Sequence, residues 1–369
     1  MVSFWGSEFV VNTTTDSLQV RPSVAGLFDG RFVAVWTDWS STGDDTSSAA
    51  IRLQMFNADG SKYGAEAVVN TITTSLQRDA KVTALSNGRF VVTWRDLSGS
   101  PDDPSGEAVR AQIFNADGSK RGAEFLVNTS TLNNQNEPAI TALADGRFVV
   151  VWTDEAPPSG DVPSPHVRAQ IFNADGTKSG SEFRAGPNGL TGQYQPKTAG
   201  LSDGRFVMVW TDASDGASAT VTAQIFNANG TPTGGQLVVN TTTQGMQSAP
   251  TVAALKDGRF VVAWQDDSAT GDDTSLMAIR AQIIGANGVK VGAEFVVNTT
   301  THWNQLSPAA AGLADGRFVI VWRDDSSTGD DTSGTAIRAQ VFNADGTRAG
   351  GEFLVNTTTL SSQLDPAVT

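Results

Sequence analysis

The feature that most constrains this chain is a stretch that recurs six times. It first appears as PSVAGLFDGRFVAVWTD, Pro22 to Asp38, and returns as KVTALSNGRFVVTWRD, PAITALADGRFVVVWTD, PKTAGLSDGRFVMVWTD, PTVAALKDGRFVVAWQD and PAAAGLADGRFVIVWRD. Each copy joins a short apolar segment to a Gly-Arg-Phe corner and then to a Val-rich run ending in Trp-x-Asp. The corner glycines are Gly30, Gly88, Gly146, Gly204, Gly258 and Gly316, spaced by 58, 58, 58, 54 and 58 residues. A period of this size specifies a solenoid, an array or a propeller, in which one unit cannot bury its apolar surface alone and stacks on the next.

Each unit reads as four strands. In the first copy these are Pro22 to Leu27, Phe32 to Thr37, Ile51 to Phe56 and Glu66 to Asn70. Asp-Gly or Asn-Gly between apolar runs is a hairpin signal, because glycine accepts the positive φ of a tight turn. Asn57-Ala58-Asp59-Gly60 plays the same part between strands three and four. In strand two, Phe32, Ala34 and Trp36 share one face and Val33 and Val35 share the other, so both faces are apolar and both must be covered. Four-stranded antiparallel sheets stacked radially on one another meet that demand, and no 3.6-residue period competes.

The expectation is an all-β, six-bladed β-propeller formed by residues 1–369 as one domain. Its repeats fall at about 6–64, 65–122, 123–180, 181–234, 235–292 and 293–350, with a partial copy at 351–369. Glu8 to Asn12 is a fourth strand with no unit before it, and Asp365 to Thr369 begins a seventh first strand. The alternative is therefore a seven-bladed ring with an incomplete last blade. Redundant terminal strands also raise self-association, since an open strand edge invites another chain.

With 25 basic and 39 acidic residues the net charge is −14, which argues against nucleic acid and anionic membranes as partners. The absence of cysteine excludes disulfides and thiol chemistry, and His166 and His302 alone cannot build a multi-histidine metal site. The start, MVSFWGSEFVVN, lacks the basic and apolar regions of a signal peptide, and no run approaches the roughly 18 apolar residues of a membrane helix.

The succession DGRFVVVW, IRAQ-F-ADG, G-EF-VNT-T and Q-P resembles the tandem repeats of large secreted bacterial proteins, often those with RTX calcium-binding segments and type I export. The resemblance covers nearly the whole chain and implies a secreted or cell-surface, adhesin-like module. The RTX nonapeptide Gly-Gly-x-Gly-x-Asp does not occur here, so calcium binding of that kind does not carry over. The layout is also similar to that of WD-repeat propellers, in architecture only.

Three recurring features are candidates for chemistry. The loop between strands two and three is acidic, with Asp44-Asp45, Asp272-Asp273 and Asp330-Asp331 as candidate calcium ligands. Calcium takes six to eight oxygens, which glycine-hinged acidic loops supply, though such loops also serve solubility. Asp38 and its equivalents face Arg52, Arg110, Arg168, Arg280 and Arg338 across the sheet, with Thr222 in the fourth copy. This pair reads as a blade-to-blade ion pair beside the six recurring tryptophans, which read as core. The segment before each first strand ends in a recurring glutamine, Gln19 through Gln363, read as a partner of loop backbone. Just ahead of one of these, His302, Trp303 and Asn304 offer an aromatic face beside polar groups, as sugar recognition requires, and Trp39 is a second isolated aromatic. In the fourth copy FRAGPNG replaces FVVNTTT and reads as drift.

No recognisable catalytic set appears, so the sequence leads to a non-catalytic extracellular binding or adhesion module with a glycan or cell-surface partner and calcium-ordered loops, and not to an enzyme. A ligand-free structural scaffold is one alternative, and a hydrolase acting on polysaccharide, through paired carboxylates, is the other.

Overall fold

The computed structural model describes residues 6–42, 45, 48–104, 106–155, 165–186, 192–214, 216, 218–271, 273 and 275–369. Among them there is no helix. There are six four-stranded antiparallel sheets, each taking its strands in chain order, and the fold is an all-β six-bladed β-propeller.

Blade one contains β1 (Gln19–Gly26), β2 (Phe32–Asp38), β3 (Ala50–Phe56) and β4 (Lys62–Val68). Blade two contains β5 (Gln77–Ala84), β6 (Phe90–Asp96), β7 (Ala108–Phe114) and β8 (Lys120–Leu126), and blade three β9 (Gln135–Ala142), β10 (Phe148–Asp154), β11 (His166–Phe172) and β12 (Phe183–Arg184). Blade four follows with β13 (Gln193–Gly200), β14 (Phe206–Asp212), β15 (Thr220–Phe226) and β16 (Pro232–Val238), and blade five with β17 (Gln247–Ala254), β18 (Phe260–Asp266), β19 (Ala278–Ile284) and β20 (Lys290–Val296). Blade six closes the series with β21 (Gln305–Gly312), β22 (Phe318–Asp324), β23 (Ala336–Phe342) and β24 (Phe353–Leu354). The first strands begin three residues earlier than the apolar run suggests, at the recurring glutamine. The fourth begins at Lys62, four residues ahead of the Glu66 start that the sequence suggests.

The chain forms two compact units. One comprises Val10–Pro196 and Ala228–Thr231; the other comprises Lys197–Asn227, Pro232–Thr369 and the N-terminal residues as far as Phe9. In the first unit, Val33, Val35, Ile51, Leu53 and Met55 of blade one pack against Phe90, Val92 and Trp94 of blade two. Val91, Val109 and Ile113 of blade two then pack against Phe148, Val150 and Trp152 of blade three. The second unit repeats this between blades four and five and between blades five and six. The middle strands of blades two and five thus meet a neighbour on each face, which is why both faces are apolar. Stacked phenylalanines brace the hairpin of strands two and three, Phe32 on Phe56 at 4.9 Å and Phe90 on Phe114 at 5.0 Å.

Polar side chains tie one blade to the turn before it. Glu66 accepts from the Thr13 backbone N–H and hydroxyl at 2.6 and 2.7 Å. Glu124 does the same for Thr71, Glu294 for Thr241 and Glu352 for Thr299. Glu8, in the chain's first strand copy, accepts from Thr357 and Thr358, so the N-terminal segment takes the same role toward the turn after blade six.

Candidate functional site

The recurring aspartate and arginine meet within a blade, and not from blade to blade. The register sets Trp36 opposite Arg52, and Arg52 pairs with Asp38 at the end of the same hairpin. A third member comes from strand four: Arg52 Nη1 lies 3.2 Å from Glu66. The same triad recurs as Asp96–Arg110–Glu124, Asp266–Arg280–Glu294 and Asp324–Arg338–Glu352. A guanidinium held between two carboxylates satisfies a buried charge on both sides. The six tryptophans are buried as expected.

The acidic loops also have structural work. Asp45, Asp273 and Asp331 are buried. Asp273 accepts from Ser275 N–H at 3.0 Å with one oxygen and from Asn298 Nδ2 at 2.8 Å with the other. Asp331 is held the same way by Ser333 and Asn356, and Asp45 accepts from Asn70. Each of these carboxylates thus helps to fold its own loop. Asp330 is exposed, and Asp44 and Asp272 lie outside the described residues. Among the described residues no group of three or more His, Asp or Glu is placed to hold a metal.

The recurring glutamine does bind loop backbone. Gln77 donates to Thr74 O at 2.8 Å and to Asp96 at 3.1 Å, and accepts from Asn70 at 3.2 Å. His302, Trp303 and Asn304 sit together on the loop leading into β21, with the His302 ring edge-on to Trp303 at 5.9 Å. Trp39 is half-buried and belongs to the other unit.

Blade three departs from this order. Its triad, Asp154–Arg168–Glu182, is intact at 2.5 and 2.7 Å, yet the Arg168 side chain is 22% exposed where Arg110 is 3% exposed. The first position of strand three, alanine in blades one, two, five and six, is His166 here. The position of strand four opposite the arginine is Val68, Leu126, Val238, Val296 or Leu354 elsewhere, and here it is Arg184. Two arginines therefore face each other across one sheet, and Asp154 and Glu182 are the anions that hold Arg168 there. His166 Nε2 accepts from Arg168 Nε at 3.1 Å, and Arg184 Nη2 is 3.3 Å from the same nitrogen.

Beside this cluster lies a cavity of about 550 Å³, lined by Thr129, Ser130, Arg168, Gln170, Lys178 and Glu182 with Gly180 and Ser181. Strand four of this blade is only two residues long. Lys178 Nζ donates to Thr129 Oγ1 at 2.9 Å. Burial pulls the Lys178 ammonium below its ordinary value of 10.5, with Glu182 acting in the opposite direction. Glu182 is fixed from two sides, by Arg168 Nη1 and by the Thr129 N–H at 2.7 Å. Two cations, one anchored carboxylate, three hydroxyls and an amide make a polar pocket of the size that holds one or two sugar rings. The sequence reading took the FRAGPNG break for drift; Arg184 within it, and His166, are what set the cluster beside this cavity apart from the other blades.

No family model matches the sequence, and no curated protein matches it. Solved structures share the fold. One is a protein of unknown function from Dyadobacter fermentans, 14% identical with a TM-score of 0.58, over 88% of this chain and 93% of that one. A second is an α-L-arabinofuranosidase from Fusarium graminearum, 13% identical with a TM-score of 0.56, over 88% and 93%. A third is the intramolecular trans-sialidase from Ruminococcus gnavus, 9% identical with a TM-score of 0.53, over 91% and 96%. These neighbours overturn the expectation of a non-catalytic adhesion module, and with it the expectation that the chain is not an enzyme.

Proposed function

We propose that the chain is a hydrolase acting on an extracellular polysaccharide, with the blade-three cavity as its sugar pocket. The observation that carries this reading is the polar cavity lined by Arg168, Lys178 and the fixed carboxylate of Glu182. Two cations in the lining, Arg168 and Lys178, against one carboxylate make an acidic sugar a better fit than a neutral one. Arg168 and Lys178 hold its carboxylate, and Thr129, Ser130 and Gln170 bond its hydroxyls. Glu182 is the carboxylate that faces the ring, where positive charge develops as a glycosidic bond breaks. The glycosidase neighbours support the reaction class. A location outside the cell agrees with a polysaccharide substrate and with the net charge of −14. No helix among the described residues is long and apolar enough to cross a membrane.

The test is hydrolysis of a panel of aryl glycosides and acidic polysaccharides. E182Q is expected to lose about a hundredfold in turnover, the scale of removing one transition-state contact. Wild-type protein that turns over no member of the panel, or E182Q with undiminished turnover, overturns the reading.

A further inference from the structure

The loop between blades five and six carries an aromatic side chain in a conformation that the rest of the repeat reserves for small residues. Two residues before the recurring glutamine of five other copies the backbone is left-handed: Ser17 has φ 62°, Ser75 63°, Asn133 57°, Gly245 70° and Ser361 66°. These are residues that tolerate or readily adopt positive φ. At Trp303 the same position has φ 63°. A bulky aromatic there is a genuine outlier with a conformational cost, and such cost concentrates at functional positions.

The strain is not offset by burial, because Trp303 is 54% exposed. The backbone around it is pinned. Ser275 Oγ donates to Trp303 O at 3.3 Å, Gln305 N–H to Met277 O at 2.8 Å, Gln305 Nε2 to His302 O at 3.2 Å and Asp325 N–H to Asn304 O at 2.9 Å. The indole is thus an open platform on a fixed loop, with the His302 ring edge-on beside it at 5.9 Å and Asn304 as the next residue.

We infer that Trp303, with His302 and Asn304, is a carbohydrate-binding site that stacks a pyranose ring of a polysaccharide chain. An aromatic face takes the C–H face of a sugar, while the adjacent imidazole and amide supply the polar contacts that orient it. A preorganised ring loses little entropy on binding, which is what a pinned loop provides. The site goes beyond the hydrolase reading and does not rest on it, since its three residues are separate from those of the blade-three cavity.

The experiment reads binding and stability together. Wild type and W303S are titrated with cellohexaose, xylohexaose and hyaluronan hexasaccharide, following tryptophan emission and calorimetry, and both are melted. Serine is the repeat's own residue at this position, so W303S should fold. Expected is binding of at least one oligosaccharide, weakened about tenfold or more in W303S, together with a melting temperature that rises by about 1–2 °C as the backbone strain is relieved. W303F should retain most of the binding. Unchanged affinity in W303S, a fall in its melting temperature, or no binding by wild type overturns the inference. None of these readouts involves turnover, so they stand whatever the cavity hydrolyses.

Discussion

Trp210 Nε1 donates to Asp212 Oδ2 at 3.2 Å. The bond exists because Thr222 stands where the other blades have arginine. In those five blades the aspartate meets a guanidinium, and the indole nitrogens of Trp36, Trp94, Trp152, Trp264 and Trp322 are buried without an acceptor. The aspartate serves one partner or the other, and the charged donor wins because a charge-assisted bond is roughly twice as strong as a neutral one. T222R is therefore expected to draw Asp212 onto the new guanidinium. The Trp210 indole proton would lose its acceptor and shift upfield in the NMR spectrum; an unmoved indole resonance refutes the competition.

The converse substitution strands a charge. In R280A, Asp266 and Glu294 keep their burial and lose the cation between them. Breaking a buried ion pair from one side costs about 3–5 kcal/mol. R280A should lose that much in urea unfolding, and D266N in the same chain should recover part of it. A loss within about 0.5 kcal/mol, the range of an ordinary surface substitution, would show that the triad is not a stability element.

The blade was legible because its logic is local and repeated. Phe32, Trp36 and Val33 announce two buried faces in one strand, and Asp29-Gly30 announces the hairpin that returns it. The ties between blades were not legible. Glu66 reads only as the start of a strand, and its partner Thr13 lies 53 residues upstream in another unit of the repeat. Asp273 reads as part of an acidic loop, and its bond from Asn298, 25 residues on, is invisible in the sequence. At blade three His166 and Arg184 are departures from the repeat, but only the register that sets Arg184 opposite Arg168 brings the two odd residues together.

Acid should loosen the N-terminal segment. Hydrogen bonds from the Thr357 hydroxyl and the Thr358 backbone hold the Glu8 carboxyl down to about 2, against an ordinary 4.5. A carboxyl depressed in the folded state contributes its stability above its unfolded value, and loses that contribution as pH falls through the folded one. The attachment of Glu8 is therefore complete above pH 4.5 and fades between there and about 2. Hydrogen exchange at Thr357 and Thr358 should accelerate over that window. E8Q should show fast exchange already at pH 7, and equal protection in both proteins would mean that Glu8 does not hold the turn.

Asn298 concentrates four bonds in one buried amide. Its Oδ1 accepts from Ile279 N–H at 2.9 Å, and its Nδ2 donates to Asp273, Thr300 O and Gln305. N298A leaves a buried carboxylate and a buried backbone N–H without these partners, a loss of about 2–4 kcal/mol. Chemical denaturation should report that loss, and N298D should be no better, since a second carboxylate would face Asp273. A variant as stable as wild type would show that water replaces the amide without cost.

Anion binding at the blade-three cavity should depend on pH through Lys178. Burial lowers its ammonium below 10.5, so the side chain loses its charge before a solvent-exposed lysine would. The charged form is the one burial disfavours, so protein stability gains as pH rises through the lowered value, while affinity for an anionic ligand falls over the same range. Affinity for glucuronate, measured by calorimetry as pH is raised toward 10.5, is expected to drop in wild type. Arginine stays charged throughout, so K178R should hold its affinity over the range in which wild type loses it. Parallel pH profiles for the two proteins would remove Lys178 from the site and leave Arg168 as the cavity's anion contact.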